Sequence, residues 1–100
     1  MTRQTIEQQV RAEMECWKGI SEYRTRMADS VEIKHVSNDL LERVILRNPA
    51  NDRSAWITRI QGNRKWAVHF AYRADADEGK RYDERFSRAK AIEVAVDFVC

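Results

Sequence analysis

The first thirty residues place apolar side chains at Ile6, Val10, Met14, Trp17, Ile20, Tyr23 and Met27. Spacings of three and four align these along one face of an α-helix, so the pattern predicts a long helix from about Thr5 to about Ala28. Thr5 with Gln8 three residues on is a capping box that fixes the start, and Glu7, Arg11, Glu15, Lys18 and Glu22 fill the opposite face. Gly19 costs a helix up to about 1 kcal/mol relative to Ala, and a bend or a close backbone contact is expected there. The stripe of Met, Trp and Tyr is either core or a partner-binding face.

Residues 31–36, VEIKHV, alternate as a short strand does. Asp39 and Glu42 form an Asp-x-x-Glu start for a short helix through Leu40, Leu41, Val44 and Ile45. ERVILR fits a strand equally well, because a short apolar run cannot be typed by its period, and residues 40–47 stay open between helix and strand. Asn48, Pro49, Ala50, Asn51 and Asp52 then break the pattern, Pro49 disfavouring helix at the residue before it.

From Ser54 the signal sharpens. AWITRIQ, the turn residues Gly62 and Asn63, and KWAVHFAYR make a β-hairpin. DADEG, residues 75–79, turns the chain into a third strand, KRYDERF, and Ser87 caps a closing helix whose apolar face holds Ala91, Ile92, Ala95, Val96 and Val99. The predicted fold is α+β: a long N-terminal helix and a three-stranded antiparallel sheet with the C-terminal helix packed on one face. It forms one domain over residues 1–100, divided into the helix at 1–30, a short irregular strand or helix segment at 31–52, and a β-β-β-α unit at 54–99.

Strand alternation assigns each side chain to a face of that sheet. Trp66, Val68, Phe70 and Tyr72, joined by Tyr82, Phe86, Trp56, Thr58 and Ile60, are expected to form the core side under the closing helix. Arg59, Gln61, Lys65, His69, Arg73, Arg81, Asp83 and Arg85 then fall on the other side. Six cationic or titratable side chains, Arg59, Lys65, His69, Arg73, Arg81 and Arg85, face one carboxylate. An antiparallel sheet normally carries polar residues on its solvated face, but this sign bias would also attract phosphates.

Composition narrows the classes. In 100 residues, 43% hydrophobic and 34% charged, with three Gly and one Pro, a globular domain is expected and a long flexible linker is not. MTRQTIEQQV contains no apolar run of the signal-peptide kind, and no run of 18 apolar residues exists to span a membrane, so a cytoplasmic protein without membrane contact is expected. Two cysteines do not make a disulfide framework; Cys16 reads as a small buried hydrophobe and Cys100 as a free thiol. The net charge of +2 is too small to indicate nucleic acid by itself, and the excess lies in residues 51–100, with ten basic against eight acidic side chains.

GNRKWAVHF and FSRAKAIEVAVD resemble the turn, basic second strand and Phe-then-capped-helix of the β3α DNA-binding domains found in tyrosine integrases and ethylene-response-type factors. The resemblance covers residues 54–99 and implies DNA contact by Arg59, Lys65, Arg73, Arg81 and Arg85. The α-β-β-β-α order is also similar to a double-stranded-RNA-binding domain, with residues 40–47 as its first helix and Arg88 and Lys90 entering the last.

Catalytic signatures are missing. His35 and His69 have no ligand partner at metal spacing; Asp75, Asp77, Glu78 and Gly79 resemble only a fragment of a calcium loop; no phosphate loop or nucleophile elbow is present; and Asp83 and Glu84 would point to opposite faces of a strand. No cofactor, metal or enzymatic activity is expected. Two kinds of binding are. One is nucleic acid, DNA or RNA, on the basic sheet face, with base reading by Arg59 or Arg73. The other is a small phage- or plasmid-type effector that binds and inhibits a larger host protein complex, anchored by Trp17, Tyr23 and Arg24. Homodimerisation through the helix stripe is a third expectation, should the sheet leave it uncovered.

Overall fold

The computed structural model describes residues 5–100. Thr5 opens helix α1 (Ile6–Glu15) with the expected capping box, its hydroxyl accepting from Gln8 N at 3.1 Å while Gln8 Oε1 accepts from Thr5 N at 2.8 Å. The expected single long helix is two. Gly19 adopts φ 86°, which only glycine takes without strain, and donates its N–H to Thr25 Oγ1 at 2.9 Å. Ser21 then caps α2 (Glu22–Ser30), accepting from Arg24 N at 3.1 Å. These local bonds outweigh helix continuity, and they divide the apolar stripe. Ile6, Val10 and Met14 are buried from α1 and Met27 and Ala28 from α2, while Ile20 and Tyr23 between them are exposed. Cys16, expected buried, is exposed, because α1 ends beside it.

The sheet has five strands, not three. Strands β1 (Glu32–Ser37), β2 (Leu41–Asn48), β3 (Arg53–Ile60), β4 (Ala67–Ala71) and β5 (Lys80–Arg81) lie in sequence order, each antiparallel to the next. Residues 31–52, expected as a short irregular strand or helix segment, supply a hairpin whose first strand falls on the expected VEIKHV. Asp39 does not cap a helix; the Asn38 side chain accepts from both Leu40 N and Leu41 N at 2.8 Å and makes the turn. ERVILR follows as strand because Val44 and Leu46, two apart, are both buried in the core, which a period of two satisfies. Gly62, φ 88°, turns the next hairpin as expected.

Ser87 caps α3 (Arg88–Val99), its hydroxyl accepting from Lys90 N at 3.3 Å. This helix packs across β2, β3 and β4, and α1 packs on α3. Ala55 of β3 and Ala91 and Ala95 of α3 are all buried in the same cluster, small side chains that let the helix lie close to the sheet. Ile6, Val10 and Met14 of the apolar stripe are thus covered within the chain, while Ile20 and Tyr23 stay exposed.

Asn48, fully buried, fastens three elements. Its Nδ2 donates to Met27 O at 3.1 Å and Val99 O at 2.6 Å, the last turns of α2 and α3, and its Oδ1 accepts from Ala50 N at 3.1 Å in the β2–β3 turn. Asn51 adds a second donor to Val99 O and Arg53 one to Phe98 O, so this turn satisfies the C-terminal carbonyls of α3.

Candidate binding surface

The β3–β4 register decides which residues share a face. Trp56 pairs with His69 and Ala55 with Phe70. Trp56, Thr58 and Ile60 therefore lie opposite to Val68 and Phe70, a reversal of the expected assignment. A one-residue difference in hairpin register exchanges the two faces of a strand, and alternation in each strand alone does not fix that register. The helix-covered side instead holds Ala55, Ile57 and Arg59.

Arg59 is consequently not part of an open basic face. Its guanidinium lies 5.2 Å from the Trp66 ring centroid, and its Nε donates to Glu42 Oε1 at 2.8 Å. His35 Nε2 meets the other Glu42 oxygen at 2.8 Å. Burial alone would push the Glu42 carboxyl up, but the hydrogen bonds and charges of Arg59 and His35 together hold it below the usual range. The remaining expected residues are scattered. Lys65 and Arg85 are exposed beside the Trp66–Phe86 bridge, and Arg73 pairs with Asp75 at 3.3 Å beyond the end of β4. Only His69 and Arg81 are brought face to face.

Around those two, the open side carries residues that the sequence reading left out. Pairing runs Lys34, Ile45, Trp56, His69 and Arg81 in one row across all five strands, with Val36, Arg43, Thr58 and Ala67 in the next and Leu41 with Ile60 beyond. The alternation Arg43, Ile45, Arg47 in ERVILR was the available signal. Lys34, Arg43 and Arg81 are exposed, and none pairs with an acid among the described residues. At the far end Val36, Leu41 and Ile60 are 42%, 38% and 55% exposed, an aliphatic patch shared by three neighbouring strands.

No family model, no curated protein and no solved structure matches the chain. What it binds is therefore read from its own surface. Among the described residues no group of three or more His, Cys, Asp or Glu could hold a metal ion, and no helix is long and apolar enough to cross a membrane.

One segment partly covers the open side. Residues 73–79 form a strap over Trp56, which is only 7% exposed although it faces away from the helices. Arg47 Nη1 donates to Ala74 O at 2.6 Å and Ala76 O at 3.1 Å, and Asp52 accepts from Ala74 N at 2.8 Å. The strap brings Asp77 beside Arg43 and Arg47 at the border of the basic rows.

Trp56 stacks on His69, ring centroids 5.5 Å apart and planes 6° from parallel. Burial, followed by the charges of Arg81 and Arg43, lowers the His69 pKa from its ordinary 6.5, and its Nδ1 is out of solvent without a partner, so the ring is neutral near neutral pH. In the unfolded chain the ring takes a proton near pH 6.5, above the folded value. Between those two values the unfolded state holds more protons, so this contribution to stability is present above pH 6.5 and is lost as pH falls through the folded pKa. Urea midpoints measured from about pH 7.5 to about pH 5 should decline in the wild type and decline less in His69→Gln. Equal slopes would show that His69 is not the titrating group.

The alternative anchors are largely satisfied within the chain. Arg24 lies 4.9 Å from the Trp17 ring centroid and donates to Cys100 O at 2.9 Å, and Trp17 itself packs against the core. Tyr23 alone of the three is exposed, with Arg26 6.0 Å from its ring centroid.

Proposed function

We propose that this chain is a non-catalytic binding protein that docks on an acidic surface of a protein partner through its open sheet face. The observation that carries the reading is the aliphatic patch of Val36, Leu41 and Ile60, bordered by Arg43 and then by Lys34 and Arg81, none of these cations with an acid partner among the described residues. An apolar centre with an unpaired charged border is the composition of a protein interface. Nucleic acid would use the cations but gains little from three exposed aliphatic side chains, and Asp77 would stand against its phosphates. A chain that binds without chemistry acts on its partner by covering a surface, so inhibition of a larger complex is the activity this reading supplies.

The test is chemical-shift mapping of labelled protein, in parallel with nuclease-treated cell extract and with duplex DNA and duplex RNA. Broadening confined to Val36, Leu41, Ile60 and Arg43 with the extract, lost in Val36→Glu and in Ile60→Glu, is the expected result. Each variant should weaken retention of the extract partner by about tenfold or more, which is 1.4 kcal/mol, while leaving the melting temperature nearly unchanged. Broadening of the same signals by a duplex and not by the extract would establish the nucleic-acid reading instead. Broadening on α1 or α2 would overturn both.

A further inference from the structure

The sheet ends on one side in β5, two residues long, and on the other in β1, six residues with no Pro, no Gly and no strand beyond it. Lone edges are usually blunted by shortness, proline, a bulge or charged side chains, and of these β1 carries only charge, in Glu32 and Lys34. The turn bond from Asn38 N to Leu41 O, 2.9 Å, sets the alternation of the hairpin ladder. It directs the main-chain groups of Glu32, Lys34 and Val36 toward β2 and leaves those of Ile33, His35 and Ser37 pointing off the edge.

We propose that a second copy of this chain pairs with that edge, β1 against β1 in antiparallel register about a two-fold axis at Ile33. The outward main-chain groups of Ile33 then bond to those of its counterpart. Glu32 falls opposite Lys34 of the other copy, and Lys34 opposite its Glu32, at the closest side-chain approach an antiparallel pair offers. Both side chains are exposed, and neither has an ion pair among the described residues. On the helix side Ile33, half-buried against the core cluster, meets its own counterpart and completes that cover. The neighbouring registers lack this complementarity. An axis at Lys34 sets Lys34 against Lys34, and one at His35 sets Lys34 against Val36. The self-complementary spacing of one acid, one aliphatic and one cation, Glu32-Ile33-Lys34, thus selects a second copy as the occupant and fixes its register. About this axis the two β1 strands overlap over residues 32–34, and the two sheets join through that short segment with their open faces side by side.

This proposal does not depend on what the open face binds, because it is read on the purified chain alone. Sedimentation velocity over a concentration series to roughly 500 µM covers the range in which small interfaces associate. The expected result is a monomer–dimer equilibrium in the wild type, and monomer in Glu32→Lys and in Lys34→Glu, whose edges become wholly cationic and wholly acidic. Mixed in equal amounts, the two variants should associate with each other, which a loss of folding in either would not produce. A wild type that stays monomeric, a single variant that dimerises as the wild type does, or a mixture that fails to associate would each overturn it.

Discussion

Asn48→Ala should lower the free energy of unfolding by about 3 kcal/mol, read as a fall in urea midpoint at unchanged slope. The side chain is fully buried and makes three hydrogen bonds, to the carbonyls of Met27 and Val99 and from the N–H of Ala50. Removal takes a donor from the Met27 and Val99 carbonyls in the buried interior and an acceptor from the part-buried Ala50 N–H, and a buried group left unpaired costs about 1–3 kcal/mol. The sum is below three times that figure because Val99 O keeps its bond from Asn51 at 3.0 Å. Asn48→Asp should be at least as damaging. A carboxylate is an acceptor only, so it faces the two carbonyl oxygens with no proton to give, and its charge would be buried without a cation. Asn51→Ala, at a half-buried position, should cost less than either. A loss below about 1 kcal/mol in Asn48→Ala would mean that the helix ends are satisfied without it.

The signals that were legible in the sequence are those whose cause lies within a few residues. Thr5 with Gln8, Ser87, and Gly62 each act through a bond or a dihedral angle that the chain itself supplies, and the helix start, the last helix and the β3–β4 hairpin stand where they place them. The break at Gly19 was visible as a weakness, but its outcome depended on Ser21 and Thr25 offering better bonds than one more helical turn. Strand β2 was ambiguous because leucine, isoleucine and valine serve either structure; burial of Val44 and Leu46 on one side settles it, and burial is a property of the assembled fold. The site was harder still. Arg59 looks like any other exposed strand cation until the register places it beside Glu42 and Trp66. Arg43 and Lys34 reach the open face only once β1 and β2 have joined the sheet.

Gly79→Ala should cost about 2 kcal/mol and uncover Trp56. Gly79 has no unusual dihedral angle to protect; its constraint is space. A Cβ there would collide with the Phe70 carbonyl and come within 3.0 Å of Trp56 Cη2. The carbonyl belongs to the backbone of β4, held between β3 and β5, and moves only with the sheet. Lys80, the next residue, pairs with that same Phe70, so the easier response is for the strap and β5 to lift away. Trp56 would lose the cover that keeps it 7% exposed. Acrylamide quenching in a chain with Trp17 and Trp66 replaced by Phe reads this directly: slow in the parent, several-fold faster in the variant. The displaced strap also takes Asp77 away from Arg43 and Arg47 of the open face. If that acid screens the face, the variant should bind an acidic partner more tightly at low salt even as its stability falls, because less negative charge then faces that partner. Unchanged quenching would show that the sheet, not the strap, gives way at the Phe70 carbonyl.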